Sequence, residues 1–178
     1  MFELPRFTTA ANATIKNVRI GWEAAGALNA DKSNAVLITH FFSGTSHAFG
    51  KYAAGDCVAG YWDSIIGPGK PVDTNRYYVI SSDTLSNLNV HAPNVVTTGP
   101  ASINPDTGKP YGMSFPVVSI KDFVEVQKAL LESLGVKKLR PWWAHPWAGC
   151  RPLNGLRAIP RWWSASSPWW PRLHPTSI

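Results

Sequence analysis

Two histidines seven residues apart, His40 and His47, bracket the segment "HFFSGTSH" in a chain of 178 residues. Each imidazole could act as a base or a metal ligand. A pair at that spacing across a Gly-containing loop fits no metal motif, so structural or solvent-facing roles suit both better. The stretch Thr39 to Gly44 matters more for where it lies. It follows "AVLI", a short continuous apolar run, and the end of a buried strand is where an open α/β sheet places its ligand chemistry. His40, Ser43 and Gly44 are therefore candidate pocket residues. The plainer alternative is a loop with a satisfied His and aromatic plugs.

The remaining chemistry-bearing residues read as structural. Asp63, Asp73 and Asp83 each flank a strand or turn, where capping explains a carboxylate better than catalysis. "GPGK", Gly67 to Lys70, lacks P-loop spacing and precedes no helix, so phosphate binding is not expected. Cys57 and Cys150 are the only cysteines. They have no metal-type spacing, and together they point to a reduced compartment. No metal site is expected.

The elements that must hold such a loop are legible up to about residue 139. "ATIKNVRIGWEAAG" alternates imperfectly through Ile15, Val18, Ile20 and Trp22, as a half-buried strand does. Ala35 to Ile38 reads as a fully buried strand, and "RYYVISSD" repeats that pattern at Tyr77 to Ile80. A short helical candidate lies around "GYWDSII". Leu85 to Pro116 is a long, polar, turn-rich loop, of the kind that is functional or disordered in a compact domain. "SIKDFVEVQKALLESLG" is the clearest element. Ser119 is its N-cap with Asp122 three residues on, Ile120, Phe123, Val124, Leu130, Leu131 and Leu134 form its stripe, and Gly135 stops it. Buried strands alternating with loops and a long helix argue for an α/β layer fold. A further central strand is expected at or just after "VKKL", and the sequence there does not read as one.

Composition changes near Arg140. Five of the six net positive charges belong to the last 39 residues, which hold five Arg, no Lys and no acid. The first 139 residues hold 12 Lys and Arg against 11 Asp and Glu, so a nucleic-acid partner is not expected for them. Residues 140–178 also hold seven of the nine Trp and seven of the 15 Pro. No run of about 20 apolar residues suggests a membrane span. The start, with Glu3 and no apolar core, does not read as a secretory signal.

Taken together, "HFFSGTSH", "GYWDSIIGPGKPVDTNRYYVISSDTL", "TTGPASINPDTGKPYG" and "FPVVSIKDFVEVQKALLESLGV" resemble the homoserine O-acetyltransferase family of the α/β-hydrolase fold. The resemblance runs in order and spacing over about residues 4–139. It departs at "DTLSNLNVHAPNVVTTGPAS", where amino-acid-acetylating members carry a shorter Gly-rich segment, and the departure is similar to an esterase-like branch. The resemblance implies a Ser–His–Asp triad that takes an acetyl group from acetyl-CoA as co-substrate and passes it to a hydroxyl. It implies that Phe42 supplies one oxyanion-hole N–H from the "HFFSG" loop, and that a G-x-S-x-G elbow follows Leu139. It further implies a cytoplasmic enzyme acting on small molecules, with no bound cofactor, no nucleic-acid or membrane partner, and a homodimer as the intact form.

No G-x-S-x-G occurs in this chain. Trp has a single codon, so the Trp-rich tail can be read in another frame. Taking each codon's third base as the next codon's first turns Trp142 to Cys150 into V-V-G-[P/S/T/A]-[S/P]-[M/L/V]-G-G-L. That string contains the missing elbow, with the Ser codon straddling His145 and Pro146. "RPLNGL" becomes Q-A-L-E-W-A, and "RWWSASSPWW" becomes M-V-E-R-V-I-P-V-V, suiting a helix and then a strand. Free codon choice allows many rereadings, but the Trp and Ala codons force several of these positions. Residues 1–139 are therefore expected to be the N-terminal part of an α/β-hydrolase domain. Residues 140–178 are expected to be a frameshifted, irregular tail, rich in helix- and strand-breaking Pro. A membrane-surface or single-strand nucleic-acid role for the tail has no periodicity behind it. Ester hydrolysis in the same site, or a non-catalytic interaction module, are the alternatives to acetyl transfer.

Overall fold

The computed structural model describes residues 1–140. The chain opens with a hairpin the sequence reading does not contain. Strand β1 (Phe2–Thr8) pairs antiparallel with β2 (Thr14–Ile20), in a register that sets Phe2 against Ile20 and Thr8 against Thr14. Pro5, lacking an N–H, faces Asn17 in that register, and Asn17 takes a positive φ of 51°. The twist there brings Ile15 and Val18, three residues apart, to the same buried side. That explains the imperfect alternation.

The single half-buried strand expected across Ile15 to Trp22 is in fact two strands of different sheets. They part at Gly21, and β3 (Trp22–Ala25) joins a three-stranded sheet instead. Its order is β3–β7–β4, with β4 (Ala35–Ile38) parallel and β3 antiparallel to the central β7 (Tyr78–Ser82). β4 matches the expected buried run residue for residue. β7 is displaced by a residue at its start and by two at its end from the expected Tyr77 to Ile80. β5 (Ile66–Gly67) and β6 (Val72–Asp73) form a small parallel pair. "GYWDSII" is a series of turns rather than a helix, closed by bonds such as Asp63 N–H to Gly60 O and Ile65 N–H to Trp62 O.

The sheet also continues where the sequence reading finds no strand. Leu139 forms a parallel bridge with Ala35, and Arg140 N–H donates to Ala35 O at 2.7 Å. The bridge lies on the edge of β4 opposite β7. Polar, basic "VKKL" hid it, because only its last residue has entered the sheet.

Helix α1 (Ile120–Ser133) packs one sheet face and is held at its start by a capping box. Asp122 accepts from Ser119 N–H and Ser119 Oγ, both at 2.7 Å, and from Ala10 N–H at 2.6 Å. The helix start is thereby tied to the β1–β2 turn. The buried face is centred on Val126, Gln127, Leu130 and Leu131, flanked by Phe123 and Leu134. Val126, not Val124, carries the stripe: it completes the three-and-four spacing with Phe123 and Leu130. These side chains meet Ile15, Val18, Ile20, Ala35 and Ile80 in one core. A second, smaller core on the other sheet face gathers Val36, Ile38, Ala48, Ile66, Val72 and Val79.

The long segment from Leu85 to Pro116 holds one short 3-10 turn (Gly112–Ser114) and is otherwise tied down by backbone and side-chain hydrogen bonds. Thr98 Oγ1 accepts Arg19 N–H at 2.7 Å, and Thr97 Oγ1 donates to Thr84 O at 2.7 Å. Leu85, Asn87 and Thr98 are buried. It is an ordered loop.

Candidate active site

The parallel strands β4 and β7 deliver their carboxyl ends to one edge of the sheet, and β3, running the other way, brings Gly21, Trp22 and Glu23 to the same edge. The loop His40–Gly44 leaves β4 there. His40 is buried, and its Nδ1 lies 2.6 Å from Phe41 O, which identifies Nδ1 as the protonated nitrogen. Phe41 packs edge-on against Tyr61 with ring centroids 5.5 Å apart. Phe42 is 79% exposed, and among the described residues its backbone N–H donates to nothing. Ser43 is exposed, whereas Gly44 is buried and donates to Phe41 O at 2.8 Å. A Cβ on Gly44 would meet the Cβ of His40 at 2.9 Å, so a side chain there would push the turn open.

Two asparagines from the long segment hold this turn from outside. Asn87 Nδ2 donates to Gly44 O at 3.0 Å, and Asn89 Nδ2 donates to Ser43 O at 2.9 Å. Both carbonyls are thereby engaged by side chains of the long segment. The sequence reading misses both residues, which sit in the stretch where the chain departs from the family pattern. Only their side-chain amides marked them out.

Of the three aspartates read as turn residues, two are that. Asp63 accepts Gly50 N–H, and Asp73 accepts the N–H groups of Gly69 and Asn75. Backbone hydrogen bonds hold both carboxyls below the ordinary carboxylate pKa. Asp83 has a larger part. Fully buried at the end of β7, it accepts Ser46 N–H at 2.7 Å through Oδ1 and Val96 N–H at 3.1 Å through Oδ2. It thus clamps the loop after β4 to the long segment. Burial pushes its carboxyl above the ordinary range, against the two N–H groups that favour its ionised form.

His47 is not paired with His40. Its Nδ1 faces Glu23 Oε2 at 3.2 Å, and its ring stacks on Tyr52 at 4.0 Å between centroids. Burial, a hydrogen bond with Glu23 and the nearby carboxylates all raise the Tyr52 hydroxyl pKa. Burial likewise pushes Tyr61 up to about 12. Among the described residues no group of three or more His, Cys, Asp or Glu could hold a metal. The Ser position expected at His145 and Pro146 lies outside the described residues.

No family model matches the chain. Solved structures define the class. The chain superposes on esterase E22 with a TM-score of 0.76 and 69% identity, over 78% of this chain and 38% of that one. It superposes on homoserine O-acetyltransferase from Bacillus anthracis with a TM-score of 0.75 and 48% identity, over 78% of this chain and 37% of that one. The fold is part of an α/β-hydrolase fold.

Among curated proteins the chain is homologous in part to the homoserine O-acetyl- and O-succinyltransferases, at 44% to 51% identity. The match to homoserine O-succinyltransferase from Pseudomonas putida is 44% identical over 159 residues, 89% of this chain and 38% of that enzyme. The chain spans between 24% and 38% of the length of the curated relatives it matches.

Proposed function

We propose that residues 1–139 are the N-terminal part of an α/β-hydrolase-fold acyltransferase that moves an acetyl group from acetyl-CoA to the hydroxyl of L-homoserine, a step of methionine biosynthesis. The observation that carries this reading is the His40–Gly44 turn at the carboxyl end of β4. Among the described residues the Phe42 N–H donates to nothing, and the turn lies beside the edge where Leu139 begins to pair. In this chemistry a Ser Oγ attacks the thioester carbonyl and passes its proton to a His. The C–S bond breaks, and CoA leaves as the thiol with that proton. The acceptor hydroxyl then gives its proton to the His as its oxygen attacks the acyl-enzyme. The Ser Oγ–acyl bond breaks, and Ser Oγ takes that proton back. Phe42 N–H is one of the two donors that hold the oxyanion at each step.

The elbow itself is absent from the frame as written, so the 178-residue chain is read as inactive. Residues 140–178 are read as translated out of frame. The match to the Pseudomonas putida enzyme covers 89% of the chain and so continues past residue 140. The intact protein is read as a cytoplasmic homodimer acting on small molecules.

One observation favours a second reading. Identity to esterase E22 is 69%, against 48% to the Bacillus anthracis acetyltransferase. Water would then replace homoserine as the acceptor. Repairing the frame at codons 139–141 and assaying both reactions separates the two. CoA release that depends on homoserine supports transfer, and cleavage of p-nitrophenyl acetate indifferent to homoserine supports hydrolysis. Neither activity in the repaired protein contradicts both.

A further inference from the structure

The link between β3 and β4 is organised by two asparagines. Asn29 Oδ1 accepts Ser33 N–H at 2.8 Å, and Asn34 Oδ1 accepts Asn29 N–H at 2.9 Å. Lys32 N–H donates to Asn29 O at 2.9 Å, and Lys32 takes a positive φ of 55°. A left-handed Lys persists only where its surroundings impose that conformation, and here side chains close the turn on itself. Asn34 also reaches outward. Its Nδ2 donates to Ala27 O at 2.9 Å and to Arg76 O at 3.0 Å, and its own carbonyl accepts Tyr78 N–H at 3.1 Å. One residue thus aligns the start of β4 with the start of β7. On the other side of β4 the same turn presents the Lys32 carbonyl, which accepts Lys137 N–H at 3.0 Å and Lys138 N–H at 3.3 Å. Arg140 N–H then meets Ala35 O at 2.7 Å. A Cβ on Gly135 would come within 2.5 Å of Lys32 Nζ, so the ammonium sits just past the end of α1, where the helix dipole favours a cation.

We propose that turn 29–34 is a register template: it sets which residue of segment 137–140 pairs with Ala35, and Asn34 is its positioning residue. A slip of one residue would turn every side chain of the segment to the opposite face of the sheet. Hydrophobic pattern does not fix the register here, because Val136 and Leu139 are the only apolar residues of "VKKL". The paired Lys32 carbonyl does. The consequence for catalysis rests on the acyl-transfer reading, in which the elbow follows Leu139 and a slipped segment would aim its Ser away from the Phe42 N–H. The template itself does not depend on that reading.

The test is NMR on the full 178-residue chain and needs no reaction. In the unaltered protein, coupling through the hydrogen bond should link the Arg140 amide nitrogen to the Ala35 carbonyl carbon. Under rising denaturant, the Lys32, Ser33, Lys137 and Arg140 amides should exchange as one unit, with one free energy and one denaturant dependence. Asn34→Asp keeps the acceptor for Asn29 N–H and removes both donated bonds. Exchange at Lys137 and Arg140 should then rise at least about tenfold and the Arg140–Ala35 coupling should vanish, while the β1–β2 amides change less than about twofold. A variant that lowered only overall stability would speed both sets alike, and that outcome counts against the proposal. Lys137 and Arg140 amides that stay protected in the unaltered chain while the turn opens would overturn it, as would an Asn34→Asp protein that keeps the coupling. Should Asn34→Asp fail to fold, the comparison within the unaltered chain decides alone. Absence of acyl transfer in the frame-repaired protein would count against that reading and leave this result unchanged.

Discussion

Asp83 and Ser46 are joined across 37 residues of sequence by a 2.7 Å hydrogen bond from the Ser46 N–H to a fully buried carboxylate oxygen. The other carboxylate oxygen holds Val96 N–H, so one side chain fixes two loops at the site. Asp83→Asn keeps the shape but retains only one acceptor, and one of the two N–H groups loses its partner. A loss of about 1–3 kcal/mol is expected in urea unfolding. An unchanged midpoint would mean that the clamp contributes nothing.

The pH dependence of stability should carry opposite signs from two aspartates. Burial raises the folded-state pKa of Asp83, so its contribution is fully present below the unfolded value of 3.8 and is lost as pH rises through the folded value. For Asp122, burial acts in the raising direction too. Hydrogen bonds from Ser119 and Ala10 outweigh it and leave the carboxyl below 3.8. Its contribution is present above 3.8 and lost as pH falls through the folded value. Asp122→Asn should therefore flatten the acid limb of a stability–pH curve, whereas Asp83→Asn should remove a decline on the other side of 3.8.

The turn that presents Phe42 should loosen when its outer braces go. Asn87→Ala leaves the buried Gly44 carbonyl without its donor and should cost about 1–3 kcal/mol. Asn89→Ala acts at an exposed bond and should cost less than about 1 kcal/mol. Amide hydrogen exchange should show faster exchange across residues 41–44 in both variants. Unchanged protection there would separate the asparagines from the turn.

Helix packing distinguishes the buried face from the one the spacing suggested. Leu130→Ala should cost about 2–5 kcal/mol, since Leu130 is 1% exposed in the main core. Val124→Ala, at a half-buried position outside that core, should cost less than about 1 kcal/mol. Thermal or denaturant melts of the two variants give the comparison directly.

Local signals carried much of this fold. Ser119 and Asp122 announced the helix start, and the unbroken apolar run Ala35–Ile38 announced β4, because a capping box and a buried strand are written in adjacent residues. The β1–β2 hairpin was hidden by Pro5 and by the positive φ of Asn17, which together break the alternation a strand should show. Asp83 read as a turn residue because its partners, Ser46 and Val96, lie 37 and 13 residues away. For the site, the turn after β4 was legible from its place at a strand end. Its braces, Asn87 and Asn89, were not, since a carbonyl acceptor leaves no mark on the sequence that supplies it. The bridge at Leu139 was not legible because the pairing falls on the last residue before the composition changes.

The most direct test of the central claim is to read the nucleotides through codons 138–142 from a fresh genomic template. A one- or two-base slip is expected at or near codons 139–141, with a G-x-S-x-G elbow in the shifted frame whose Ser codon straddles those of His145 and Pro146. An uninterrupted frame, with no elbow in the alternative reading, would contradict it.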